Sequence, residues 1–417
     1  MSTPKWVAIW GNAVSIAENR PERYARNITL RYPVRIPFDG QSPAGDRLQI
    51  GDWPSVGDWP LVGDRPPVGG TPLRLTFDNF CGENRDADDS PVTIAKTTLL
   101  VTGSRNPADR FYPVTFAGER SVTIAPGKSV TSDPVEVSAA AGETVYVSFY
   151  LADFTLMRSV VYTCGPLSGG MYANGDQTET VQFDVNTSRV TKLNYFLSNV
   201  SLLTAEENRA IVCYGDSITA QDWPDYLQLR CAREGFGHTA IIRRAASGTR
   251  ILREYTCLTY ESYGLMGSKR FEREVPTDGA DAVIIQQGIN DIIHPVGTDV
   301  NIFRPMSDLP TVEELIEGLK TYIAQARRMG LRVYVGTLLP MGGWRTDAPF
   351  RQEMRHAYND FIRTTDLIDG CIDFDKALRD PARPDWFLPE YDSGDHLHPS
   401  KKGYERMAAE VPEELLK

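Results

Sequence analysis

Ile211-Val212-Cys213-Tyr214-Gly215-Asp216-Ser217-Ile218-Thr219 is the stretch on which the reading of this chain turns. Four apolar residues make a short strand, Gly-Asp-Ser stops it, and the residues from Trp223 to Glu234 read as a helix, with Pro224 tolerated in its first turn. A strand that ends in this way sets Ser217 at the carboxyl edge of a sheet, where open α/β folds keep their chemistry. Ser217 is therefore the candidate nucleophile, in preference to a plain helix cap. A serine hydroxyl attacks poorly at neutral pH, so a general base and a preset oxyanion site must come from elsewhere in the chain.

Both have candidates downstream. In Asp395-His396-Leu397-His398-Pro399, the spacing of Asp395 and His398 lets one turn hold the carboxylate on one ring nitrogen while the other faces Ser217. His396 is a rival base, and two histidines two residues apart also raise a metal reading. No cysteine or carboxylate cluster stands at ligand spacing, so neither metal nor cofactor is expected. Between Ser217 and this motif lie Ser247-Gly248 and Gly288-Ile289-Asn290-Asp291, the latter alone no more than a plausible turn.

The four blocks, in this order, resemble those of the SGNH (GDSL-type) hydrolases from about residue 205 to the end. The resemblance implies Ser217 as nucleophile, His398 as base and Asp395 as its carboxylate partner. It also implies an oxyanion hole made of the Ser217 and Gly248 backbone N–H groups and the Asn290 side-chain amide. Asp216 and Asp291 are expected to brace these loops. The implied fold is a three-layer α/β/α arrangement of flavodoxin type.

The residues themselves point to alternating strands and helices. Beyond the strand Arg209 to Tyr214, Thr239 to Ile242, Ala282 to Ile285, Leu331 to Thr337 and Cys371 to Phe374 read as strands. Thr311 to Met329 is the clearest helix, with a Thr311/Glu314 capping box and Gly330 as its stop. Phe350 to Arg363 is a second, and Ser400 caps a last one running from Lys401 to about Leu415. Such alternation predicts a parallel sheet covered on both faces.

Residues 1 to 200 read differently, as β-rich runs punctuated by Gly, Pro, Asn and Asp. Trp6 to Trp10, Ile28 to Val34, Leu73 to Phe77, Ala95 to Val101, Val114 to Phe116, Ser121 to Ile124 and Thr144 to Leu151 are its expected strands, with turns at Ala117 to Arg120 and Ala125 to Lys128. The expectation is a jelly-roll-like antiparallel β-sandwich over 1–200, followed by the α/β domain over 201–417. Residues 51–68 repeat a six-residue Gly-Asp-Trp/Arg-Pro-containing unit three times. That insert reads as an exposed chain of turns, with Trp53 and Trp59 as contact residues over the site mouth or in a homo-oligomer.

Composition narrows the partners. A formal charge of −11, from 44 basic and 55 acidic residues, argues against nucleic acid or an anionic membrane surface. Six scattered cysteines without a C-x-x-C pair indicate free thiols, and no stretch has the length of a membrane span or signal core. A cytoplasmic location is the expectation.

The resemblance also narrows to a subgroup. Thr115-Phe116-Ala117-Gly118, Tyr358-Asn359-Asp360-Phe361, Asp373-Phe374-Asp375-Lys376 and Tyr391-Asp392-Ser393-Gly394 are similar to bacterial arylesterases or acylhydrolases associated with xylan degradation. This implies cleavage of a short acyl group, acetyl above all, from a small-molecule or oligosaccharide ester. A broader-chain lipase or thioesterase, or a carbohydrate-binding protein on an inactive scaffold, are the alternatives. Trp223, Tyr255, Tyr260, Trp344, Trp386 and Tyr391 are candidate pocket walls or packing residues.

Overall fold

The computed structural model describes residues 4–13, 24–38, 71–80, 90–102, 109–255 and 263–417. The repeated insert at 51–68, Cys81, Cys257 and Tyr260 lie outside them. Among the described residues, Cys164, Cys213, Cys231 and Cys371 are free, and Cys213 is buried in its strand.

Five parallel strands form the C-terminal sheet, in the spatial order Thr239–Ala245, Arg209–Gly215, Ala280–Gln286, Arg332–Gly336, Gly370–Ile372. Their side chains are almost uniformly buried, as a sheet covered on both faces requires. The order reverses between the strand that leads to Ser217 and its neighbour Ala280–Gln286. At such a reversal the loops at the carboxyl ends splay apart and leave a crevice.

The helices follow the expected signals. Val312–Arg328 carries both halves of the Thr311/Glu314 capping box, and Gly330 takes the left-handed conformation after it. Gly267–Glu274, Val312–Arg328 and Pro349–Thr364 form one packed series, and Trp223–Glu234, Lys401–Glu410 and Phe374–Leu378 form another.

Several expected boundaries are corrected. The last helix is two, Lys401–Glu410 and Glu413–Leu416, because Pro412 holds Val411 in an extended conformation (φ −62°, ψ 124°). The fifth strand stops at Ile372, and Asp373 instead caps the helix Phe374–Leu378 by accepting the Lys376 N–H. Thr115-Phe116 is no strand: Phe116 pairs with Glu119 across a tight turn at Ala117-Gly118, both with positive φ. Trp223 begins its helix as expected, and of the two roles open to it, pocket wall or packing, the structure shows packing: it is fully buried against Phe374.

The N-terminal part holds two larger antiparallel sheets. One orders Lys5–Gly11, Leu197–Thr204, Thr71–Asp78 and Val135–Val137, with Ser129–Thr131 also on Thr71–Asp78. The other orders Ser188–Thr191, Gly170–Asn174, Ile28–Arg35, Thr144–Leu151, Lys96–Val101 and Arg110–Val114. Phe77 of the first meets Phe149 of the second edge to face, with centroids 5.1 Å apart. The boundary expected at 200/201 falls inside the strand Leu197–Thr204, and the chain crosses to the parallel sheet only through Ala205 to Asn208.

The two parts are joined by buried polar groups as well as by packing. Arg244 on the edge strand Thr239–Ala245 donates to the Asn12 and Ser198 carbonyls at 2.6 and 2.8 Å, and to Glu274 O at 2.9 Å. Ala8 N–H donates to Asp278 O at 2.8 Å. Truncating Arg244 within the closed seam would take a donor from these buried carbonyls while water stays excluded, at a cost of about 1–3 kcal/mol for each acceptor left unpaired.

Candidate active site

Ser217 is the first residue of the short helix Ser217–Ala220, and the cap is Asp216, whose Oδ1 accepts the Ile218 N–H at 3.1 Å. The Ser217 hydroxyl is thus left for other work. Gly215 has no room for a side chain: a Cβ there would lie 2.4 Å from the Gln286 carbonyl oxygen. That close approach lets the chain turn sharply out of the sheet.

The Ser217 Oγ lies 2.9 Å from His398 Nε2, and His398 Nδ1 lies 2.7 Å from Asp395 Oδ2. An ionised carboxylate can only accept, so Nδ1 carries the proton and Nε2 of the neutral ring is the acceptor for the serine hydroxyl. Asp395 also takes the Leu397 and His398 N–H groups on Oδ1, at 2.9 and 2.8 Å. Partial burial pushes its carboxyl up, but the hydrogen bonds from the His398 ring and from these two N–H groups outweigh it, leaving it well below the usual carboxylate range.

His396 is turned elsewhere. Its backbone has φ +65°, its Nδ1 lies 2.5 Å from Asp392 Oδ2, and its ring meets Trp386 edge-on. The structure therefore joins His398, not His396, to Ser217.

The expected oxyanion donors come from the ends of adjacent strands. Gly248 follows Thr239–Ala245 with φ +78°, and the Tyr263 ring lies so close that a Cβ would approach it to 2.3 Å. Asn290 follows Ala280–Gln286, is buried, and its Nδ2 donates to Thr249 O at 3.1 Å. That bond spans 41 residues and ties the Asn290 side chain to the Gly248–Thr249 loop rather than to its own turn. A carboxamide nitrogen has two hydrogens, so this bond orients the group and leaves one donor over.

Both bracing carboxylates behave as expected. Asp291 accepts the Ile251 and Leu252 N–H groups at 2.8 and 3.1 Å, tying the Asn290 helix to the Gly248 loop. Burial pushes its carboxyl up to about 6 and that of Asp216 up to about 7.

Other positioning residues were not legible beforehand. Thr249 Oγ1 receives Gln287 Nε2 at 3.0 Å and Arg270 at 3.1 Å, and Arg270 forms a fully buried pair with Glu274 at 2.6 Å. The spacing of Arg270 and Glu274 on one helix face was the available signal, but its burial depends on the whole packing. Arg351, buried on the helix Pro349–Thr364, donates to the Ile292 and Pro295 carbonyls where the Asn290 helix ends. Among the described residues, no group of three or more His, Cys, Asp or Glu is placed to hold a metal, and no helix is long and apolar enough to cross a membrane.

Comparison with known proteins agrees at the level of the domain. Residues 213–406 match the model of the GDSL-like Lipase/Acylhydrolase family. Three solved structures with similarity to this chain are a lipase/acylhydrolase from Enterococcus faecalis, a GDSL-like lipase from Bacteroides thetaiotaomicron and an acetyl xylan esterase. The first is 22% identical, covering 50% of this chain and 95% of that one at TM-score 0.36. The second is 16% identical, covering 50% and 87% at 0.34. The third is 19% identical, covering 48% and 97% at 0.34. The search of curated proteins finds no match.

Proposed function

We propose that the protein is a serine ester hydrolase that removes short acyl groups, acetyl first among them, from carbohydrate-like or other small alcohols. The observation that carries this reading is the hydrogen-bonded chain Ser217–His398–Asp395, drawn from two places 181 residues apart in sequence. His398 Nε2 takes the hydroxyl proton as Ser217 Oγ attacks the ester carbonyl. The tetrahedral oxyanion is received by the Ser217 and Gly248 N–H groups and by Asn290 Nδ2. His398 then gives the proton to the leaving alcohol, and an acyl-serine remains. Water, deprotonated by His398, attacks this ester and frees the acid and the serine.

We further propose that the two antiparallel sheets face each other as a jelly-roll-like sandwich over the N-terminal part, a reading supported by the Phe77–Phe149 contact. The two helix series are read as the outer layers around the parallel sheet.

A fluorophosphonate probe tests the chemistry. Labelling of wild-type protein and not of Ser217→Ala is expected, with 4-nitrophenyl acetate turnover falling by roughly 10⁴- to 10⁶-fold in the variant. Retained turnover in a folded Ser217→Ala protein would overturn the assignment. A series of 4-nitrophenyl esters from acetyl to palmitoyl should show its highest kcat/KM at the short end.

A further inference from the structure

Next to the oxyanion donors lies a cavity of about 470 Å³ whose lining includes Arg304, Arg345, Asn301, Thr346 and Tyr263. Its relation to the site follows from three contacts. Tyr263, in its wall, presses its ring on Gly248. His294, on which Tyr263 stacks at 5.4 Å, lies one helical turn beyond Asn290. Thr346 Oγ1 donates to Ile293 O at 3.1 Å, fastening the opposite wall to the same helix. Gly343, two residues before Arg345, lies against Trp386 and His396, so this wall reaches back to the base side of the site.

The lining is basic in an acidic protein. Two arginines face the cavity and no Asp or Glu does among the described residues, although the chain carries a net −11. Arg250, just outside, is paired with Asp308 at 3.0 Å, and Asp347 is engaged by Gly343 N–H and Gln352. The loop that presents Arg304 is closed on itself: Val296 and Gly297 N–H both donate to Arg304 O, at 3.0 and 2.9 Å. Arg304 as a whole is only 8% exposed, so its side chain lies along the wall rather than out in bulk solvent. The field is felt next door, where burial first, and then Arg304, Arg250 and Arg345, hold His294 neutral. A planar guanidinium at a partly dehydrated wall is suited to a carboxylate.

We infer that this cavity binds an anionic group, a carboxylate above all, carried by the ester substrate, so that the enzyme prefers acidic esters to neutral ones of the same shape. The inference rests on the hydrolase reading above and names the substrate class for the same site. The carboxylate can belong to the acyl part, as in a dicarboxylic half-ester, or to the alcohol part, as in an acetylated sugar acid.

The test uses full-length protein and two matched ester pairs. For the acyl side these are 4-nitrophenyl succinate and 4-nitrophenyl butyrate, and for the alcohol side 4-acetoxybenzoate and phenyl acetate. Binding is measured by calorimetry on Ser217→Ala protein, which leaves the result independent of turnover, and kcat/KM is measured on the wild type. In at least one pair the anionic ester should bind tenfold or more tightly, and the pair identifies the side. Adding Arg345→Gln should bring that anionic-to-neutral ratio down toward one, and raising salt from 50 to 500 mM should shrink it. Arg345 is exposed, so its replacement should not disturb folding, which thermal unfolding checks. Equal affinities within both pairs, or a ratio untouched by Arg345→Gln, would overturn the inference. The hydrolase reading fails separately, if the wild type turns over neither neutral ester.

Discussion

The site is assembled from two regions built by different physical means. On the nucleophile side, Asp216, Thr249, Asn290 and Asp291 are all buried, and the bonds that tie Thr249, Asn290 and Asp291 to other elements reach across 21 to 41 residues of chain. The base side is a hairpin in which the Asp395 side chain is 43% exposed, and the bonds to the Asp392 and Asp395 carboxylates within it span two to four residues. The first region owes its geometry to the packed core and the second to a local turn. The lesson is that geometry for catalysis does not require burial of every participant. A carboxylate that collects several N–H donors in one turn is oriented even at the surface.

The comparison is sharpened most by Asp395→Asn. If the hairpin works locally, activity should drop by roughly 10²- to 10⁴-fold, because the wrong imidazole tautomer then faces Ser217. Unfolding free energy should change by no more than about 1 kcal/mol, since the group is well exposed. Parallel kinetics and urea denaturation would check this, and a large loss of stability would break the distinction between the two regions.

Glu274→Gln probes the opposite behaviour. It leaves Arg270 buried without its counter-charge beneath the Gly248–Thr249 loop. Stability should fall by about 3–5 kcal/mol, and activity should fall with it as the loop loosens. Denaturant midpoints and kcat measured on one preparation test that linkage. A stable but inactive variant would show that the loop is set by something else.

The smallest expected effect concerns pH. Burial raises the Asp216 carboxyl to about 7, so the folded protein keeps a proton that the unfolded chain releases near pH 4. The resulting contribution is fully present below about pH 4 and is lost as pH rises through about 7. Asp216→Asn keeps an oxygen acceptor for the Ile218 N–H. It should therefore gain stability relative to wild type across that window, by on the order of 4 kcal/mol at its upper end. Thermal unfolding of both proteins from pH 4 to 8 measures the difference. A gap that does not widen with pH would mean that the carboxyl is not proton-bearing.

Much of this was legible in the residues alone. The run Ile211 to Tyr214 is apolar on both faces and stops at Gly-Asp-Ser, a pattern suited to a covered parallel strand with a residue presented at its end. The capping box at Thr311 and the stop at Gly330 mark their helix by local chemistry. Asp395 and His398 are close enough in sequence for their pairing to be read from spacing. Signals carried by neighbours a few residues apart survive without coordinates, because the forces that produce them act over one or two turns.

What needed the tertiary structure is what depends on distant chain segments meeting. The sequence favoured His398 and kept His396 as a rival, and the fold supplies the reason, turning the His396 ring to Asp392 and the His398 ring to Ser217. That residues 200 and 201 share one strand was not readable locally, because Leu197–Thr204 finds its partners at Lys5–Gly11 and Thr71–Asp78, far back in the chain. Whether Trp223 walls a pocket or packs in the core was settled only when Phe374 and the surrounding core closed on it. The basic cavity joins Tyr263, Arg304 and Arg345 from three loops, and no local pattern announces it. The sequence by itself thus determined the elements and the reacting groups, since those follow from short-range propensity and chemistry. Which groups share a space was decided by the long-range packing of apolar surfaces, which no single stretch contains.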